Sequence, residues 1–127
     1  RFFAACNNRA GAREHEILDE LRPEPGEPVL NKTTQGAFAS TGLDALLRAQ
    51  GVRTLVCVGV STNNCVETTA REAADRGYGV ALVSDATGTC SDDFQDVTLR
   101  GFRRLWGRVL SAEDACQELL GGPAAPR

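Results

Sequence analysis

Blocks of apolar residues along the chain predict a repeating order of strands and helices. Two runs, Thr54–Val60 and Val80–Asp85, are dominated by apolar and β-branched residues, which is typical of strands covered on both faces in a parallel sheet. Between them, residues 66–76 show helical spacing, with small or apolar side chains on one face and charged ones on the other. A strand, a helix and a second strand of these lengths predict an α/β fold with a parallel sheet.

The predicted helix after Cys65 has a narrow face of small residues that lets it approach a sheet closely. This face is formed by Val66, Thr69, Ala70, Ala73 and Gly77. On the outer face, the spacing predicts the i,i+4 ion pairs Glu67/Arg71 and Glu72/Arg76. The pattern is that of an ordinary crossover helix.

Weaker patterns lie on both sides of residues 54–85. They predict a short helix over Glu14–Leu21, a strand over Pro28–Lys32, a helix capped by Thr41 and ended by Gly51, a helix starting at Asp92 or Asp93, a strand over Arg108–Leu110 and a helix over Ser111–Leu120. Residues 1–13 receive no assignment, and residues 121–127 are predicted to be a frayed tail. The whole chain, 1–127, is interpreted as one domain.

The composition of the chain excludes several classes of function. A net charge of −3 argues against a general nucleic-acid or anionic-membrane binder, and no apolar stretch approaches the length that spans a bilayer. Five cysteines without a Cys-x-x-Cys pair suggest neither a disulfide framework nor a zinc finger, and favour a reducing, cytoplasmic location. The chain starts at Arg1 and contains no methionine, which predicts a piece of a longer protein.

Cys65 is the strongest pointer to chemistry. It lies where an apolar strand ends and a helix begins, and the unpaired N–H groups and the dipole of a helix start favour a reactive thiolate. Lys32, the only lysine, ends another predicted strand, although a surface lysine without a function is an equal alternative. Ligands of open α/β sheets bind at this carboxyl edge. His15, the only histidine, lies in a charged segment typical of a solvated helix start.

Several motifs together carry a family resemblance. They read KTTQGAFASTGL at 32–43, LLRAQGV at 46–52, GVSTNNCVETTAR at 59–71, DRGY at 75–78 and DA at 85–86. From about Glu14 to Leu120 the chain thereby resembles the isochorismatase-like cysteine hydrolases, a family that includes nicotinamidases and N-carbamoylsarcosine and ureidoacrylate amidohydrolases. The resemblance implies a Rossmann-like three-layer α/β/α fold, in which the strands visible here match the third to sixth and the first two are missing.

The resemblance also implies site residues. In the amidase branch, Cys65 would attack a carbonyl carbon and form a thioester. The backbone N–H groups of Asn64 and Cys65 would hold the oxyanion. Lys32 matches the catalytic lysine, and a cis peptide of the family maps to Val60–Ser61.

One departure affects the mechanism. The catalytic aspartate of the family ends a first strand, and nothing in residues 1–31 matches it: Asp19 reads as a surface residue. Asp85 also ends a predicted strand, but it matches a separate Asp-Ala motif of the family and not the catalytic aspartate. The metal-binding cluster of nicotinamidases would also lie upstream, so no metal or cofactor is assigned.

The leading hypothesis is therefore a hydrolase of a small amide, carbamoyl or ureido substrate, whose activity requires residues upstream of Arg1. A non-catalytic truncated homologue or interaction module, and a redox-active thiol protein, stay open as alternatives. Phe38 and Phe94 are candidates to line a substrate pocket, and plain packing is the equal alternative for both. The resemblance favours a homo-oligomer, and the net charge predicts no nucleic-acid or membrane partner.

Overall fold

The computed structural model describes residues 11–121, which are built around a parallel sheet. Its three strands, in spatial order, are β1 (Thr54–Val60), β2 (Gly79–Gly88) and β3 (Arg108–Leu110). The helices are α1 (Leu43–Ala49), α2 (Glu67–Asp75), α3 (Asp92–Leu105) and α4 (Ala112–Leu119). A π-helical turn, Thr62–Val66, joins β1 to α2. The unassigned residues 1–10 and residues 122–127 of the predicted tail lie outside the described residues.

Helices cover both faces of the sheet, so the predicted three-layer α/β/α architecture is confirmed. On one face, Val80 and Leu82 of β2 belong to a core cluster with Ala70 and Ala73 of α2 and Phe102 of α3. The opposite face of the sheet forms a smaller cluster, made of Ala81, Val83, Leu110 and, from α4, Ala115. Alternate residues of β2 therefore enter different layers, as the two-residue period of a strand requires.

Most element boundaries follow local signals. β1 and β3 span the predicted residues, while β2 runs three residues beyond the predicted Asp85. The hydroxyl of Ser111 accepts the N–H of Asp114 at 3.1 Å and caps α4. Gly51, with φ of +69°, follows α1 where a left-handed conformation ends the helix. Among residues 11–121, no helix combines the length and the hydropathy that a bilayer crossing needs.

The helix predicted over Glu14–Leu21 is wrong. The structure has two single 3-10 turns there, Arg13–His15 and Asp19–Leu21. The apolar side chains meant to anchor the helix, Leu18 and Leu21, are 66% and 69% exposed. A helix this short needs packing against an apolar surface to be stable, and among the described residues Ile17, Leu18 and Leu21 are all exposed.

The strand predicted over Pro28–Lys32 is also wrong. These residues have irregular backbone, and Val29 and Leu30 are exposed. A strand forms when its backbone N–H and C=O groups pair with a neighbour. Within residues 11–121 the sheet pairs only β1, β2 and β3, so the described sheet has three strands instead of the four that were predicted.

Candidate active site

The carboxyl end of β1 leads directly into the turn that carries Cys65. The peptide bond between Val60 and Ser61 is cis. The carbonyl of Ser61 accepts the N–H of Asn64 at 3.1 Å and that of Val66 at 3.3 Å, which closes the π-helical turn. Cys65 is half-buried between the end of the sheet and the first turn of α2.

Two thiols close together in sequence occupy different environments. Cys57 lies within β1, and burial raises the pKa of its thiol to about 11. It is therefore protonated at neutral pH and is a poor nucleophile. Cys65 lies beyond the end of the same strand, beside backbone N–H groups rather than inside the sheet. The fold thus separates a structural thiol from one placed at a helix start.

One of the two backbone N–H groups proposed to bind an oxyanion, that of Asn64, already makes a hydrogen bond in the turn. The N–H of Asn64 already donates to the Ser61 carbonyl at 3.1 Å. An oxyanion near Cys65 would have to share this N–H with that carbonyl, as in a three-centre hydrogen bond. The assignment of Asn64 and Cys65 as oxyanion donors stays a prediction.

The end of β2 also reaches the Cys65 turn. The β1–β2 register shifts after Cys57 and Leu82 and resumes with Gly59 opposite Thr87. The side-chain amide of Gln95 donates to the Thr87 carbonyl at 3.2 Å and supports this irregular segment. Two residues further on, Thr89 Oγ1 donates to Asn63 Oδ1 at 2.6 Å. Irregularities of this kind often redirect a strand next to a functional site.

Residues 33–42 lie against α2 without regular secondary structure. The N–H of Ala37 donates to Thr69 Oγ1, and the N–H of Phe38 donates to the Glu72 carboxylate, both at 3.1 Å. The predicted Glu72/Arg76 ion pair is wrong, because Arg76 donates instead to the backbone carbonyl of Glu72 at 2.8 Å. The carboxylate is used to hold the neighbouring segment.

The predicted Glu67/Arg71 ion pair is present, at 2.6 Å. The Arg71 guanidinium also lies over the ring of Trp106, with 5.1 Å from Cζ to the ring centroid. Arg71 therefore joins the start of α2 to the end of α3.

Lys32 is exposed and lies at the end of the irregular residues 28–32. Its Nζ donates to the Thr34 carbonyl at 2.8 Å. This bond folds the lysine back onto the segment that follows it. The catalytic role of Lys32 stays a prediction.

The two aromatic candidates for a pocket lie in different surroundings. Phe38 is only 6% exposed and belongs to the core, with its ring centroid 6.0 Å from that of Tyr78. Its apolar ring is removed from water by this packing, and its pocket role stays a prediction. Phe94 is 54% exposed in the first turn of α3, and its pocket role stays a prediction.

Asp19 and Asp85, the two aspartates weighed as the missing catalytic acid, have structural partners. Asp19 pairs with Arg22 at the surface. Asp85 Oδ1 accepts the N–H of Ala112 at 2.7 Å, which places this carboxylate at the start of α4. Within residues 11–121, no group of three or more His, Cys, Asp or Glu residues is arranged to hold a metal ion.

Sequence reasoning located Cys65 but missed the long-range contacts made by its turn and by α2. The structure adds Asn63, Thr69, Glu72 and Thr89, which link the turn and α2 to two other segments. The first three lie within or next to the motif at 59–71, which marks them as local to the site. Their partners are 26 to 34 residues away in sequence, and no local pattern identifies such pairs.

Comparison with known proteins identifies relatives of this chain. Residues 3–114 match the isochorismatase domain. The chain is 38% identical over 107 residues to the ureidoacrylate amidohydrolase RutB of Agrobacterium fabrum, an alignment covering 84% of this chain and 47% of that protein. The chain spans about half the length of the curated relatives it matches.

Solved structures show the same fold. An N-carbamoylsarcosine amidase from Thermoplasma acidophilum aligns with a TM-score of 0.70 and 34% identity, covering 80% of this chain and 57% of that one. A cysteine hydrolase from Pseudomonas syringae aligns with a TM-score of 0.83 and 26% identity, covering 87% of this chain and 57% of that one.

Proposed function

The chain belongs to the isochorismatase domain family, and from that membership we propose that the whole protein hydrolyses a C–N bond of a small amide, carbamoyl or ureido compound. The observation that carries the proposal is the half-buried Cys65 thiol in the turn between β1 and α2. Similarity to a ureidoacrylate amidohydrolase and to an N-carbamoylsarcosine amidase supports the substrate class.

In the proposed reaction, the Cys65 thiolate adds to the carbonyl carbon of the substrate and the carbonyl oxygen becomes an oxyanion. Backbone N–H groups of the turn, those of Asn64 and Cys65, donate hydrogen bonds to this oxygen. Collapse of the intermediate re-forms the carbonyl and breaks the C–N bond, and the nitrogen leaves with a proton. Water then cleaves the thioester, which releases the acid product and restores the thiol.

Two further groups complete the proposal. Lys32 would contribute positive charge near the thiolate, which requires its Nζ to leave the Thr34 carbonyl that it contacts at 2.8 Å. The proton for the leaving nitrogen would come from an acid upstream of the described residues, as the family resemblance implies. Among residues 11–121, Asp85 is held at α4 and Asp19 at the surface.

The test is turnover by the whole protein with Cys65→Ala, measured as ammonia release from ureidoacrylate, N-carbamoylsarcosine and nicotinamide. Loss of the nucleophile is expected to lower kcat by at least about a thousandfold. Cys116→Ala is the matched control, since Cys116 is an exposed thiol on α4 and should leave kcat unchanged.

Turnover retained by Cys65→Ala would show that the nucleophile is misassigned. No ammonia from any substrate of the panel, with Cys65 intact, would favour the non-catalytic homologue. Reversible oxidation of Cys65 by peroxide without hydrolysis would favour the redox thiol protein.

A further inference from the structure

Residues 33–42 lack regular structure but are internally cross-linked. The hydroxyl of Ser40 accepts the N–H groups of Thr33 and Thr34 at 3.0 and 3.3 Å. Thr41 Oγ1 donates to the Ala37 carbonyl at 2.7 Å. Lys32 is tied to the same unit through the Thr34 carbonyl. The position of this unit on α2 therefore bears directly on the position of Lys32.

Thr69 connects this unit to the residue proposed as nucleophile. Its Oγ1 donates to the backbone carbonyl of Cys65 at 2.7 Å and accepts the N–H of Ala37 at 3.1 Å. A helical threonine often bonds the carbonyl four residues before it. Here the same oxygen also accepts the N–H of Ala37, 32 residues away in sequence. One atom is therefore bonded to both the Cys65 turn and the segment 33–42.

Glu72, one turn further along α2, makes the second connection. Its carboxylate accepts the N–H of Phe38 at 3.1 Å, and the ring of Phe38 is buried beside it in the core. A methyl group at Gly36 would overlap the Glu72 carboxylate. The absence of a side chain at Gly36 therefore lets the segment approach the carboxylate closely.

We propose that Thr69 and Glu72 are positioning residues that hold residues 33–42, and with them Lys32, at a set distance from Cys65. The proposal rests on the proposed function, because it assigns a use to the arrangement of the two candidate catalytic side chains. In this role neither Thr69 nor Glu72 needs to touch the substrate. Both act by fixing the backbone of Ala37 and Phe38 on the helix that begins after Cys65.

Thr69→Val tests the first connection in the whole protein, because valine keeps the branched shape and removes the hydroxyl. The Ala37 amide is expected to exchange with solvent at least about tenfold faster, since it loses its acceptor. The value of kcat is expected to fall about 10- to 100-fold, because displacement of a catalytic group by about 1 Å costs that much.

Matched variants separate positioning from general damage. Thr69→Ser keeps the hydroxyl and should restore both the exchange rate and kcat. Thr68→Val makes the same substitution one residue earlier on α2, where the side chain takes no part in these contacts, and should leave both unchanged. Gly36→Ala should speed exchange of the Phe38 amide, because the added methyl displaces the Glu72 carboxylate.

Hydrogen exchange judges the proposal independently of turnover. If the Ala37 amide of Thr69→Val exchanges at the wild-type rate, the connection does not hold the segment and the proposal fails. If exchange speeds up but kcat and KM stay at wild-type values, the segment is held without positioning Lys32, and the proposal also fails. Absence of turnover in the wild-type protein would instead overturn the proposed function.

Discussion

Residues 11–32 and residues 43–121 both contain apolar runs that predict regular elements, but only the second region forms them. Val29 and Leu30 were predicted to lie in a strand and are exposed on irregular backbone. The apolar run of β1 pairs with β2 along most of its length. An apolar, β-branched run therefore becomes a strand only where a neighbouring strand accepts its hydrogen bonds.

The largest expected difference between the regions is in core packing. Phe102 is fully buried between α3 and the sheet, so Phe102→Ala should lower the free energy of unfolding by about 3–5 kcal/mol. Leu18 is 66% exposed, so Leu18→Ala should change it by less than about 0.5 kcal/mol. Denaturant midpoints measure both. Similar losses for the two variants would mean that residues 11–32 are packed in solution.

A smaller effect is expected from helix capping. Ser111→Ala removes the acceptor for the Asp114 N–H and should cost about 1 kcal/mol of unfolding free energy. Ser111→Thr keeps an acceptor and should recover most of that loss. Ala12 precedes the first 3-10 turn without a side-chain cap, so Ala12→Gly should have little effect on the denaturant midpoint. An equal loss of stability for Ala12→Gly would show that the first 3-10 turn contributes as much to stability as the capped helix α4.

The smallest effect concerns two aspartate–arginine pairs. Hydrogen bonds from Arg48 and Tyr78 lower the pKa of Asp44. Its stabilising contribution is therefore complete above the unfolded pKa, about 3.9, and is lost as the pH falls through the lower folded value. Asp44→Asn should flatten the loss of stability between pH 5 and the acid limit.

Asp19 is the control for this prediction, because its pair with Arg22 is largely exposed and a surface pair contributes little. Asp19→Asn should therefore change the free energy of unfolding at pH 7 by less than about 0.5 kcal/mol. A larger loss at pH 7 for Asp19→Asn than for Asp44→Asn would reverse the expected order of the two pairs.

Much of the fold was predictable because its signals are local. Three features show this: the continuous apolar run of β1, the short run of β3 and the small-residue face of α2. Each is contained in one short stretch of consecutive residues. The boundary of β2 was not predictable, since its extension to Gly88 depends on pairing with Gly59 and Val60 after a register shift. The π-helical turn was missed because its length is set by the tertiary junction of β1 and α2.

The candidate site also has features that the sequence predicts and features that it does not. The position of Cys65 between a strand and a helix follows from the sequence pattern alone. Glu72 illustrates the limit, since helical spacing predicted a pair with Arg76 and the carboxylate instead binds the Phe38 N–H. A buried backbone donor without a partner costs more than an exposed ion pair provides, so the tertiary contact determines where the carboxylate points.

The α/β class, the central strands, the crossover helix and the location of Cys65 can all be read from the amino-acid sequence, because short-range periodicity and turn chemistry specify them. Long-range packing is instead what leaves residues 28–32 irregular, buries Phe38 in the core and binds the segment after Lys32 to Thr69 and Glu72. These outcomes depend on hydrogen-bond partners and buried surface contributed by residues far apart in the chain, which become neighbours only when the chain folds.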